Sequence, residues 1–122
     1  MELTPRLAAV GALVPRGTRF ADVCCDHAQL AIALQQRGVV SRAVAVDLAE
    51  APLALARRNA LTAGIELDAR QADGLAALRP GEVDCVAIAG IGGDAAVSIL
   101  KPAVLEALGI RRLVIQVNKK LA

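Results

Sequence analysis

The chain has 122 residues, so it forms one domain at most, and its formal net charge of +2 neither demands nor forbids an anionic partner. Hydrophobic residues make up 56% and charged residues 21%, which excludes a disordered chain. There are 26 alanines, one Phe and no Tyr or Trp, which argues against modules that stack bases on aromatic platforms and suits helices packed on a buried parallel sheet.

Thr4-Pro5 reads as an N-cap followed by proline at the first helical position, and Leu3, Leu7, Val10 and Val14 recur at helical spacing. A regular alternation then begins. Phe20–Cys24 is a short apolar run read as strand one, and Gln29–Arg37 is a helix stopped by Gly38. Ala43–Val46 is strand two, closed by Asp47, and Pro52–Ala63 is a helix stopped by Gly64. Leu67–Arg70 is a weaker strand three, followed by Asp73-Gly74 and a helical turn at Leu75–Leu78. Val83–Ala89 is strand four, Gly90–Gly93 a glycine loop, and Asp94–Leu108 a helix that Pro102 should kink or split. Arg112–Val117 is strand five. Strands alternating with helices at this spacing predict βαβ units, a parallel sheet and ligand chemistry at the carboxyl ends of the strands.

Three cysteines, Cys24, Cys25 and Cys85, make neither a disulfide framework nor a zinc site and fit a reducing cytoplasm. Cys24 and Cys85 lie in apolar runs and are expected to be buried. The longest uncharged runs fall far short of the roughly 20 residues of a membrane span. Glu2 before the first run and Pro15-Arg16 after it do not fit a secretory signal.

Five polar clusters fall on the carboxyl edge. They are Asp22 with Cys25-Asp26-His27, then Asp47, Asp73-Gly74, Gly90–Gly93 and Gln116-Val117-Asn118. Strand endings alone do not require so many. A dinucleotide fold would place G-x-G-x-x-G after strand one, yet the loop from Cys24 to Ala28 holds no glycine and Asp26 would repel a pyrophosphate. A cationic, phosphate-free nucleoside such as S-adenosylmethionine fits better. Asp47 can then accept both ribose hydroxyls, and Asp73 can accept an adenine amino group. Glycines at Gly90–Gly93 allow close approach to the main chain. His27 adjoins an acid and can give or take a proton near neutral pH.

These residues resemble a known family. Asp22-Val-Cys-Cys-Asp-His-Ala is similar to the D-I-G-S-D-H-A motif of the bacterial tRNA (adenine-22-N1)-methyltransferases. Asp47 with Ala51-Pro52, Asp73-Gly74-Leu75, Ala87–Gly93 and Leu113–Asn118 resemble its later motifs in order, and Leu3, Arg6, Leu7, Val14 and Pro15 its leading helix. The resemblance implies a class I methyltransferase fold, an α/β Rossmann-like sheet with strands in the order 3-2-1-4-5. It implies S-adenosylmethionine as cofactor and N1 of a tRNA adenine as the methyl acceptor. It implies Asp26, His27 and Asn118 as catalytic residues, and Asp22, Cys24, Asp47, Asp73, Gly74, Ala89, Gly90 and Gly92 as cofactor-binding residues. This sequence departs from the family at Cys24, Gln29, Ala31 and Val117, and the family's final strands and helical C-terminal region are expected to be missing from residues 1–122. Two other readings stay open: a methyltransferase-like binding module without activity, and a nucleotide-dependent oxidoreductase.

Overall fold

The computed structural model describes residues 3–23, 28–91 and 100–117. Helix α1 (Pro5–Ala12) leads into β1 (Phe20–Val23), followed by α2 (Gln29–Gln36), β2 (Ala43–Asp47), α3 (Glu50–Thr62) and β3 (Asp68–Gln71). A 3-10 turn (Gly74–Ala77) then precedes β4 (Cys85–Ile91), α4 (Pro102–Leu108) and β5 (Arg112–Val117). The sheet order is β3-β2-β1-β4-β5, and every pairing is parallel.

Each strand sends alternate residues to opposite faces, and both faces are covered. On one face Phe20, Ala43, Ala45, Cys85 and Ala87 pack against Val10 of α1, Leu30 and Leu34 of α2, and Leu53 and Ala56 of α3. On the other, Val23, Val44, Val46, Val86 and Ile88 pack against Leu75 and Leu78 of the 3-10 turn region and Leu108 of α4. The β1 and β4 connections therefore leave in opposite directions from the centre of the sheet. In doubly wound sheets such a topological switch, here at the carboxyl ends of β1 and β4, is where ligands bind.

Sequence and structure agree on the alternation and on the bounds of β5, and they differ at several ends. Helix α3 begins at Glu50, before Pro52, because proline's missing N–H has no helical partner to lose in the first turn. Strand β4 starts at Cys85 rather than Val83 and runs on through Gly90 to Ile91, so Gly90 belongs to a strand and not to a loop. Pro102 does not kink a longer helix. Lys101 before it is extended (φ −84°, ψ 121°), as a residue preceding proline prefers, and α4 starts at Pro102 itself. The earlier part of the expected Asp94–Leu108 helix, through residue 99, lies outside the described residues. Gly38 and Gly64 take φ values of 69° and 71° just after their helices, as their stop role requires.

Cys85 is a buried free thiol pushed up to about 11, first by burial and then by the neighbouring Asp84 carboxylate, so it is a core residue and not a nucleophile. Among the described residues no helix is long and apolar enough to cross a membrane.

Candidate functional site

Asp22 comes from the middle of β1 and is only 3% exposed. Its burial has a local cause in α2. The residue at that helix's N-cap, Ala28, has no capping side chain and sits in the left-handed region (φ 55°, ψ 31°). The orphan N–H of Ala31 instead donates to Asp22 Oδ2 at 3.2 Å. A carboxylate from the neighbouring strand thus replaces the missing cap. Burial pushes the Asp22 carboxyl up to about 7, the Ala31 N–H opposes this, and the charge of Asp47 adds to it.

Asp47 is half-buried at the end of β2. Its Oδ1 accepts the Ala49 N–H at 3.0 Å, which turns the chain sharply toward α3. Its main-chain carbonyl accepts the Ala72 N–H at 3.0 Å, and Gln71 Nε2 donates to the Leu48 carbonyl at 3.1 Å. The ends of β2 and β3 are therefore laced together beside the acid. Leu48, next in the chain, is 67% exposed there.

Asp73 stands exposed at the N-cap of the 3-10 turn, where its carbonyl accepts the Ala76 N–H at 3.2 Å. Gly74 follows with φ 57°, a conformation costly for any residue with a Cβ. Asp73, Gly74, Leu75, Ala76 and Leu78 form one wall of a cleft of about 410 Å³, and Lys101, Val104 and Leu108 form the other. The wall is fastened from behind. Arg70 Nη1 donates to the Ala77 carbonyl at 2.8 Å, and the same guanidinium bonds Asp68 and Glu82.

At the end of β4, Ala89 pairs with Gln116 and Ile91 with Val117, so Gly90 is the extra residue of a β-bulge. A bulge re-aims the main chain at a sheet edge. Ala89 is half-buried against the core. Cys24, Asp26, His27, Gly92 and Asn118 lie outside the described residues. The structure thus brings Asp22, Asp47, Asp73, Gly74, Ala89 and Gly90 to one edge of the sheet. Among the described residues, none of the three acids forms an ion pair. Sequence reasoning missed Arg70 and Glu82. It also missed the capping duty of Asp22, for which the unsuitable cap Ala28 was an available signal.

A doubly wound parallel sheet with an acid ending β2 and a glycine bulge ending β4 defines a Rossmann-like domain of the class I methyltransferase kind. Residues 3–122 match the family model described as a methyltransferase domain, and the chain belongs to that family. Over 120 residues the chain is 32% identical to the tRNA (adenine(22)-N(1))-methyltransferase of Bacillus subtilis, covering 97% of this chain and 50% of that protein. A Streptococcus pneumoniae protein solved in complex with S-adenosyl-L-methionine has a TM-score of 0.88 at 32% identity, over 98% of this chain and 57% of the other. TrmK of M. capricolum, solved with S-adenosyl-homocysteine, has a TM-score of 0.83 at 26% identity, over 99% and 54%. The chain spans about half the length of these relatives.

Proposed function

We propose that residues 1–122 are the S-adenosylmethionine-binding core of a methyltransferase that modifies N1 of an adenine in tRNA, working in the cytoplasm. One observation carries the cofactor reading: two solvent-reaching carboxylates, Asp47 and Asp73, share one sheet edge with the buried Asp22, and none of the three has an ion pair among the described residues. Such an edge repels phosphate and suits a cationic nucleoside. The relatives solved with S-adenosylmethionine and its product support the same choice.

In this reading Asp47 accepts the ribose hydroxyls and Asp73 the adenine amino group. Gly74, Ala89, Gly90 and Gly92 offer main chain that can be approached closely, and Asp22 fixes the start of α2. When bound, S-adenosylmethionine supplies an electrophilic methyl group. The acceptor, adenine N1, already has a lone pair, so the protein's task is alignment more than proton removal. Asp26, His27 and Asn118 are assigned to the target base. His27 is the residue suited to take the proton that the exocyclic amine of the cationic product gives up.

Titration calorimetry with S-adenosyl-homocysteine tests this reading. Asp47→Ala should weaken binding by about 10- to 100-fold, the loss expected for hydrogen bonds to a charged group. A well-folded wild-type sample that binds nothing would overturn it. Methyl transfer to unmodified tRNA, assayed on the same samples, separates an enzyme core from a module that only binds.

A further inference from the structure

Arg70 is 23% exposed in its side chain and lies on β3, outside the carboxyl-edge cluster. All five of its N–H donors are used. Nε and Nη2 donate to the two oxygens of Asp68 at 3.1 and 2.9 Å. Nη1 and Nη2 donate to the two oxygens of Glu82 at 2.7 and 2.5 Å. The remaining Nη1 proton goes to the Ala77 carbonyl at 2.8 Å. Glu82 in turn accepts the Arg79 N–H at 3.1 Å. One planar group therefore ties together β3, the far end of the 3-10 turn and the approach to β4.

An ordinary surface ion pair joins two flexible side chains and fixes nothing. Here two bidentate carboxylates set the plane of the guanidinium, and that plane sets the position of a main-chain carbonyl. The turn hangs between two fixed points: Ala72 N–H on the Asp47 carbonyl at one end and the Ala77 carbonyl on Arg70 at the other. Asp73 and Gly74 lie between them, followed by Leu75 and Ala76. Asp68 and Glu82 also neutralise Arg70, so a cation lies behind the wall without offsetting the negative charge of Asp73 at its front.

We propose that Arg70 is a positioning residue for the cleft wall that carries Asp73 and Gly74, and through it for the adenine end of the cofactor. The cofactor half of this statement rests on the function proposed above. Lysine keeps the charge but cannot reach five acceptors in one plane, so Arg70→Lys separates geometry from charge.

The test is a double-mutant cycle read by S-adenosyl-homocysteine affinity. Arg70→Lys and Asp73→Ala should each weaken binding by about tenfold, and the double variant should lose little more than either alone, because Arg70 acts through Asp73. Multiplying losses, near a hundredfold, would overturn the proposal and leave Arg70 a general stabiliser. Backbone amide spectra give a second readout that needs no ligand. In Arg70→Lys, and in Glu82→Gln should the first variant fold poorly, the Gly74–Ala77 signals should shift while those of α1 stay in place. Unmoved turn signals would overturn the positioning role. A wild-type protein that binds no cofactor, with shifted turn signals, would sink the cofactor reading and keep the positioning role.

Discussion

Two connections deliver an acid to the same sheet edge by opposite means. Between β1 and α2, the acid itself is the scaffold: Asp22 is buried, caps the helix through Ala31 and carries the desolvation of its own charge. Between β3 and β4, the acid is exposed and the scaffold is another residue: Arg70, paired on both sides, holds the turn while Asp73 faces the cleft. The difference teaches what each arrangement costs. A buried structural acid becomes sensitive to protons near neutrality, whereas a clamp of matched charges leaves the exposed acid available for a ligand.

The largest expected effect tests the first arrangement. The folded state holds the Asp22 proton up to about pH 7, while the unfolded chain releases it near the ordinary carboxyl value of 3.8. Folding therefore retains a proton across that window. The contribution is fully present below pH 3.8 and is lost as pH rises to about 7, a swing of about 4 kcal/mol. Asp22→Asn keeps an oxygen for the Ala31 N–H and cannot ionise. Urea unfolding at pH 4 and pH 8 should show the variant gaining on wild type at the higher pH. Parallel behaviour at both values would mean that the charge of Asp22 costs the fold nothing.

The second arrangement breaks with Arg70→Ala, which removes the ion pair of Glu82, leaves Asp68 with Arg42 at 3.6 Å and frees the Ala77 carbonyl. The partners are partly solvated, so the loss should be about 2 kcal/mol, below that of a fully buried pair. Its pH dependence has the opposite sign to that of Asp22. Arg70 holds the Glu82 carboxyl down at about 2, against an ordinary value of 4.5, so this stabilisation is present above pH 4.5 and lost as pH falls through 2. Thermal unfolding of the variant should accordingly differ from wild type more at pH 7 than at pH 2, where only the bond to the Ala77 carbonyl and packing are lost. A constant difference would show that the ion pairs contribute nothing beyond packing.

Much of this architecture was legible in the residues. Apolar runs of strand length between glycine-stopped helices predicted five parallel strands, and Asp47 and Asp73 were placed by the strand ends they follow. Gly90 was misplaced because a glycine signals conformational freedom, which a turn and a bulge need equally. Arg70 was invisible because its three partners lie 2, 7 and 12 residues away and converge only after β3 and β4 have been set apart by the intervening strands. Asp22 reads as a strand-end acid, and its bond to Ala31, nine residues on, follows only once α2 has docked on β1.

The smallest effect sharpens what the first connection costs in backbone energy. Ala28 combines a positive φ of 55° with complete burial. Replacing it with glycine relieves left-handed strain of about 1 kcal/mol, and loses a buried methyl group and some unfolded-state restriction of similar combined size. The net change should stay below about 1 kcal/mol. Ala31 is equally buried, but it sits in right-handed helix, so Ala31→Gly loses the methyl group and helix propensity with no strain to recover and should cost about 2 kcal/mol. Chemical denaturation compares the two variants at equal burial and for the same substitution, so they differ in strain and in the helix propensity, about 1 kcal/mol, that only Ala31 loses. Equal losses would show that the chain passes through Ala28 without strain. A loss at Ala28 smaller by more than that propensity difference would place stored energy at the turn where the Asp22 connection meets the candidate site.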